Sequence, residues 1–349
     1  MRILYFGAYD SSYSRNLVIL KGLRENGIEI IECNESGSNI FKLLKLLFRH
    51  LSGNYKYDIM FVPFPGQEVM LLARLLTRKP IVFDAFTSHY EGYVLDRGKY
   101  KPESINAYWY YWLDAISCRL ADMILLDTDA HIDFFVDTFK LPRSKFRKLY
   151  VGTDSGVMKP FNIERKTNIF TVHFHGTYIP LQGVEYIIKA ADILRDEPII
   201  FNLIGRGQTF SNNKHLADSL DLSNINFIEK VLYSELPRYM NASDICLGIF
   251  GHTSKTSVVI PNKVFEALAC ARPIITARTK AITELFQDQE NILLCQPVNP
   301  KDLAEKILLL KNNKRLRDEI AIGGFEIFKN KLTEHHLGAT LTSYIKGII

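Results

Sequence analysis

The chain has few cysteines and none of them are grouped. Cys33, Cys118, Cys246, Cys270 and Cys295 are spread along 349 residues. They give neither a zinc-like spacing nor a disulfide framework. An odd number of scattered thiols suits a reducing compartment. No run approaches the ~20 apolar residues of a membrane-crossing helix. Residues 1–6, MRILYF, open directly on a strand, which leaves no room for a signal peptide. The expectation is a cytoplasmic protein, with any membrane contact peripheral and on the inner face of the cell membrane. Two tryptophans stand beside 17 tyrosines and 22 phenylalanines, rings that mainly pack in cores and can also line a sugar or lipid groove. The net charge of +5 is modest. It calls for no nucleic-acid partner, and it permits a phosphate-bearing ligand or an anionic surface.

What the chain does have is alternation. Short apolar runs at 3–6, 28–33, 58–62, 80–84 and 123–126 read as strands, with helical periodicity at 14–26, 40–51, 69–76 and 106–119. Periodicity breaks near 155–168, around Gly156, Lys159, Pro160 and Asn162. A second series then begins, with strands at 170–174, 199–204, 225–227, 245–249 and 273–276. Such alternation makes parallel sheets covered by helices. The expected fold is α/β: two Rossmann-like domains, 1–160 and 161–330, facing a cleft at the carboxyl ends of their strands. Residues 331–349 are expected to form a helix that crosses back to the first domain.

The most informative segment is 261–276, PNKVFEALACARPIIT. Pro261 and Asn262 suit a helix entrance, where free backbone N–H groups favour an anion. Lys263 adds a point charge there. Glu266, one turn deeper, can accept hydrogen bonds from two neighbouring hydroxyls. Diphosphate at the entrance and a ribose diol at the carboxylate fit this pattern; a bare surface ion pair is the plainer reading. Two further loops follow strands. In the first, Gly176 admits a ligand close to the backbone, and Thr177 and Gln182 offer polar contacts ahead of Gly183. In the second, Arg206 between Gly205 and Gly207 presents a fork of donors. A tight turn and a solvated arginine are the alternatives. Residues 227–231 offer backbone groups to the edge of a base, and Asp244 reads as a local cap.

In the first domain, Gly7 ends a strand, and Tyr13, Ser14, Arg15 and Asn16 open a helix as a closing face over donor phosphates or acceptor. Asp84 ends another strand and could orient a sugar hydroxyl. His89, followed by Glu91, could assist proton transfer. His173 and His175 lack a third ligand, so no metal is expected. The helix at 40–51 carries Lys42, Lys45, Arg49 and His50 and could rest on an anionic membrane or simply cover the sheet. The aromatic run 108–112 reads first as local packing.

With these residues in view, the chain resembles a family 4 glycosyltransferase of the GT-B type. The family's Gly-Arg…Lys-Gly loop corresponds to Gly176-Thr177…Gln182-Gly183. Its strand end with glycine corresponds to 204–207, and its ribose-binding glutamate to Glu266. The first glutamate of its paired motif is Val258 here, and the histidine after a first-domain strand is best matched by Asp84. The resemblance implies transfer from a UDP- or GDP-sugar with retention of anomeric configuration and no essential metal. It implies an acceptor-binding first domain and a nucleotide-sugar-binding second domain. The implied acceptor is a glycan or lipid-linked sugar, in envelope polysaccharide or glycoconjugate assembly. Arg206, Lys263 and Arg15 are the candidates to replace the missing cations. Two other readings stay open: a non-catalytic nucleotide-sugar-binding partner subunit, and a sugar-nucleotide epimerase of related fold. No oligomeric state follows from the sequence.

Overall fold

The computed structural model describes residues 1–35, 41–164 and 169–349. It divides into two compact units, Met1–Asp154 with Leu332–Ile349, and Ser155–Lys331.

Unit 1 contains β1 (Arg2–Gly7), α1 (Ser14–Glu25), β2 (Glu29–Asn34), α2 (Lys42–Ser52), β3 (Ile59–Val62), α3 (Met70–Leu76), β4 (Ile81–Asp84), α4 (Ile105–Leu120), β5 (Met123–Leu126), α5 (Asp129–Phe139) and β6 (Phe146–Lys148). Ile40, which the sequence places in the second helix, lies outside the described residues. The strands run parallel in the order β2-β1-β3-β4-β5-β6. Both faces of this sheet are covered, so its strands are continuous apolar runs rather than alternating ones. Leu4 and Phe6 point to one face with Leu46 of α2, Ala73 of α3, Cys118 of α4 and Phe135 of α5. Ile3 and Tyr5 point to the other, with Val18 and Leu23 of α1.

Unit 2 contains β7 (Phe170–His175), α6 (Val184–Ile193), β8 (Ile199–Ile204), α7 (Phe210–Ser219), β9 (Ile225–Ile228), α8 (Leu236–Ala242), β10 (Ile245–Leu247), α9 (Ser254–Val258), α10 (Asn262–Ala269), β11 (Ile274–Ala277), α11 (Lys280–Thr283), β12 (Leu293–Cys295), α12 (Pro300–Asn312) and α13 (Lys314–Ile327). Its parallel sheet has the order β12-β11-β10-β7-β8-β9. The chain order reverses between β7 and β10, where Val172 is level with Ile245 and His173 with Cys246. A crevice opens at the carboxyl ends of strands at such a reversal, because the flanking connections leave in opposite directions.

The last helix, α14 (Glu334–Lys346), belongs to unit 1. Its Leu337, Leu341 and Ile345 complete the α1 face of the first sheet. The two helices cross at glycines. A Cβ on Gly338 would lie 2.1 Å from the Gly22 carbonyl oxygen, and one on Gly22 would lie 2.2 Å from that of Glu334. Any side chain there would push the helices apart. Lys21 fixes the register through Glu334 at 2.5 Å and Asp154 at 3.0 Å.

Candidate functional site

The candidate site is built in unit 2, on the carboxyl edge beside β7. Strand β7 delivers His173 and His175, two residues apart and so on one side of the strand. The chain then turns through residues 176–183. Gly183 has φ +60°, and a Cβ there would stand 2.4 Å from the Gly251 nitrogen. Gly205, at the end of β8, has φ +118°, and its Cβ would stand 2.0 Å from the Gly176 carbonyl oxygen. Gly183 lets the loop after β7 lie backbone against backbone on the loop after β10, and Gly205 does the same between the loops after β7 and β8.

That contact forms one wall of a cavity of about 220 Å³. His175, Gly176 and Thr177 line it from the β7 loop, and Ile204 and Gly205 from the end of β8. Lys230, Val231, Tyr233 and Leu236 line it from the segment after β9. Two larger hollows of about 330 and 480 Å³ lie beside Arg278 and Asp302, and beside Phe170 and Arg317. The first lies beside β11 and β12, and the second at the amino ends of β7, β8 and β10, the edge of the sheet opposite the glycine loops; neither is lined by glycine backbone.

Helix α10 supplies the charged groups. Pro261 is its N-cap and makes no side-chain cap bond. Val264, Phe265 and Leu268 are buried in the unit. Lys263 and Glu266 are buried as well, at 6% and 5% exposure, which separates them from a surface ion pair. The Lys263 ammonium stands 5.0 Å over the Phe174 ring. Burial pushes its pKa down to about 8, partly offset by the charge of Glu266. Glu266 Oε2 meets His175 Nε2 at 2.7 Å, and His175 Nδ1 meets His173 Nε2 at 2.9 Å. A carboxylate oxygen only accepts, so His175 Nε2 is the donor. A neutral His175 then accepts at Nδ1 from His173 Nε2–H. This leaves His173 Nδ1 as the bare nitrogen, and that atom is buried without a partner among the described residues. Burial holds the His173 pKa well below its ordinary value, followed in effect by His175 and Lys263, in keeping with a neutral ring. The two rings thus fix one oxygen of Glu266. Its other oxygen has no hydrogen-bond partner among the described residues.

Several expected ligand contacts are arranged differently. Gln182 is a brace for its own loop: Oε1 accepts from the Tyr178 N–H at 3.0 Å, and Nε2 points to Thr177 Oγ1 at 3.4 Å. A Cβ on Gly176 would collide with that amide at 2.3 Å, so Gly176 serves internal packing as well as access. Thr177 is exposed at the cavity wall. Arg206 is at the surface and pairs with Glu229, also exposed.

In unit 1 the expected roles of Arg15 and Asp84 need correction. Both are fully buried and bonded to each other, Nη2 to Oδ1 at 2.8 Å and Nε to Oδ2 at 3.0 Å. Arg15 Nη1 donates to the carbonyls of Leu149 and Tyr150. With their donors and acceptors turned inward, neither faces a ligand. Gly7 ends β1 against Pro63, whose ring would lie 3.3 Å from an added Cβ. His89 is half-buried, with its ring 5.8 Å from those of Tyr93 and Tyr110. Sequence reading missed a buried cluster nearby. His131 lies between Asp127, at 2.7 Å, and Glu91, at 3.2 Å. Asp114 accepts from Ser88 and from the backbone of His89 and Tyr90. Among the described residues, no group of three His, Cys, Asp or Glu side chains could hold a metal ion.

Comparison with known proteins places this site in context. Residues 159–326 match the family model described as glycosyl transferases group 1, and they contain the whole unit 2 site. The chain is 29% identical over 163 residues to an uncharacterized glycosyltransferase of Methanocaldococcus jannaschii, covering 45% of this chain and 42% of that protein. It is 24% identical over 252 residues to a D-inositol 3-phosphate glycosyltransferase of Nocardioides, covering 64% of this chain and 53% of that protein. The chain thus spans about half the length of these curated relatives. The Anabaena HepE structure in complex with UDP-glucose superposes with a TM-score of 0.76 at 15% identity, covering 99% of this chain and 100% of that one. The fold is GT-B: two Rossmann-like units, each a six-stranded parallel sheet.

Proposed function

We propose that this chain is a retaining glycosyltransferase of family 4 character, moving a sugar from a UDP- or GDP-sugar to a hydroxyl of a glycan or lipid-linked acceptor. The observation that carries this reading is Glu266, held by His175 through one oxygen and open at the other, one turn inside a helix beside a glycine-walled cavity. The ribose diol would bind the open oxygen, the diphosphate would lie toward Lys263 and the α10 entrance, and the base would enter the cavity. Retention needs alignment and charge stabilisation rather than a nucleophilic carboxylate. The buried state of Asp84 is compatible with that. Unit 2 would hold the donor and unit 1 the acceptor, with peripheral contact between unit 1 and an anionic membrane.

The inward-turned Gln182 favours a second reading, a partner subunit that binds nucleotide sugar without turnover, because it leaves the diphosphate fewer contacts. Calorimetry with UDP and GDP separates site from activity. Glu266→Gln should weaken the nucleotide that binds by about 1.5–3 kcal/mol, the range for hydrogen bonds to charged groups. Unchanged affinity removes the ribose assignment. Product anomeric configuration, read by NMR with and without EDTA, tests the reaction. An inverted linkage defeats retention, and metal-reversible loss in EDTA defeats the metal-independent mechanism. Donor binding with no transfer to any acceptor supports the second reading.

A further inference from the structure

Helices α2, α3 and α4 lie in one layer. Their inward side chains belong to a single buried cluster on one face of the first sheet. Their outward faces are apolar to a degree that covering a sheet does not require. On α2, Phe41, Leu44, Phe48 and Leu51 recur at intervals of three and four and are all exposed. They form a stripe on the side of the helix opposite the core-facing Leu46. On α3, Leu71 and Leu75 are exposed, the latter to 77%. On α4, Ile105, Tyr108, Trp109, Trp112 and Ile116 make a second long stripe, with Ile105 exposed to 87%. The aromatic run is therefore not local packing alone: Tyr111 packs on Tyr90 and Phe139, while Trp109 and Trp112 face outward. Contiguous exposed apolar surface on this scale marks an interaction site.

The charge on these helices selects the partner. Residues 41–57 include Lys42, Lys45, Arg49 and Lys56 and no acid. Residues 70–79 include Arg74, Arg78 and Lys79 and no acid. The single acid of α4, Asp114, is buried on the inner side. Lys42, Arg49 and Arg74 meet Glu68, Glu35 and Asp122 from neighbouring segments, while Lys45 has no ion-pair partner among the described residues. Around α2 the helical positions run from core face to basic edge to apolar stripe. A second copy docked here through a twofold axis would bring basic edges of like sign together. An anionic surface with an apolar interior meets both features at once, and tryptophan and tyrosine suit the boundary between headgroups and acyl chains.

We propose that the outward face of α2, α3 and α4 is a docking surface for an anionic lipid bilayer, with the α2 and α4 stripes entering the acyl boundary and Lys42, Lys45 and Arg49 at the headgroups. This deepens the reading above by giving the membrane a place on unit 1, and rests on that reading only for the source of the acceptor.

Both tryptophans of the chain, Trp109 and Trp112, lie on this face, so their emission reports it without labelling. The full chain is mixed with phosphatidylcholine vesicles with and without phosphatidylglycerol. The expected result is a blue shift with the anionic vesicles, quenching by acyl-brominated lipid, and co-sedimentation that falls with salt. Leu44→Ser with Phe48→Ser should abolish the sedimentation. Each of Lys45→Gln and Arg49→Gln should weaken it roughly five-fold. Circular dichroism checks that the variants fold. Emission unchanged by anionic vesicles at low salt overturns the proposal. So does a blue shift that appears without vesicles as protein concentration rises, which would assign the face to a second copy. Transfer to a water-soluble acceptor should survive Leu44→Ser with Phe48→Ser. Vesicle binding without any transfer defeats the transferase reading and leaves the surface standing.

Discussion

The two units use similar sheets in opposite ways. In unit 1 the ionisable groups at the carboxyl edge are closed on one another: Arg15 on Asp84, and His131 on Asp127 and Glu91, all with buried side chains. In unit 2 the corresponding edge differs: among the described residues, one oxygen of Glu266 has no hydrogen-bond partner and Lys263 makes no ion pair within contact distance, its ammonium lying over a ring face, with a cavity nearby. A closed network rigidifies its unit, because each buried charge depends on its partner. An open set of groups is where a ligand can supply the missing partner. The comparison sets paired buried charges in unit 1 against the edge of unit 2, where the proposed ligand would bind.

The most forceful way to break this contrast is to open the unit 1 network. Arg15→Leu leaves Asp84 buried and alone, and should destabilise unit 1 by roughly 3–5 kcal/mol. The double change with Asp84→Leu should recover much of that loss. Urea unfolding followed by tryptophan emission reads it, since both tryptophans belong to α4. A midpoint unmoved by Arg15→Leu would mean the pair is not structural.

The pH dependence of the two units should have opposite signs. Burial alone would lower the pKa of His131, but Glu91 and Asp127 outweigh it and raise the value to about 9 from 6.5. The stabilisation from its charge is complete below pH 6.5 and is lost as pH rises through 9. Burial also raises Asp114 to about 6 from 3.8. The folded state then keeps a proton that the unfolded chain releases, and stability again falls as pH rises through that window. Lys263 is depressed to about 8 from 10.5, so unit 2 regains stability as pH climbs from 8 toward 10.5. Unit 1 should therefore lose on the order of 2–4 kcal/mol between pH 6.5 and 9, and His131→Gln should flatten that slope. Parallel pH profiles for the two units, read by tryptophan emission and by exchange of unit 2 amides, would erase the distinction.

The smallest expected effect sharpens the contrast from the surface. Arg206 and Glu229 are both solvent-exposed. Arg206→Ala should leave the unfolding midpoint unchanged, because exposed pairs contribute little. If Arg206 reaches a diphosphate, the variant should lose affinity for the nucleoside diphosphate and none for the nucleoside. Equal losses on both ligands would remove Arg206 from the site.

Much of the fold is legible in the sequence, because strands buried on both faces appear as unbroken apolar runs between glycines and prolines. Helices α5, α12 and α13 are also absent from that reading although their apolar positions are plain, whereas other missing elements have physical reasons. Strands β6 and β12 are three residues each, too short for periodicity. Helix α7, FSNNKHLADS, buries only Asn213 and Ala217, so it carries almost no apolar stripe. In the site, the spacing of His173 and His175 on one strand already places them together. Their link to Glu266 spans 91 residues, and that of Arg15 to Asp84 spans 69, distances at which no local pattern operates. Gln182 has a ligand-like position, but folding turns its amide back onto the loop. Lys263 and Glu266 are legible as a helical pair; their burial, which changes their chemistry, is not.

The crossing of α1 and α14 at Gly22 and Gly338 has a consequence for how the molecule is made. In the chain, α14 follows the whole of unit 2, yet its apolar side closes unit 1. A ribosome delivers the first sheet early and this covering helix only after unit 2 has emerged. Until then Val18 and Leu23 lack their cover, and the nascent chain carries an apolar groove where the helix will seat. The first sheet is thus synthesised before unit 2 and sealed after it, and a truncation before Glu334 would leave it permanently in that unsealed state.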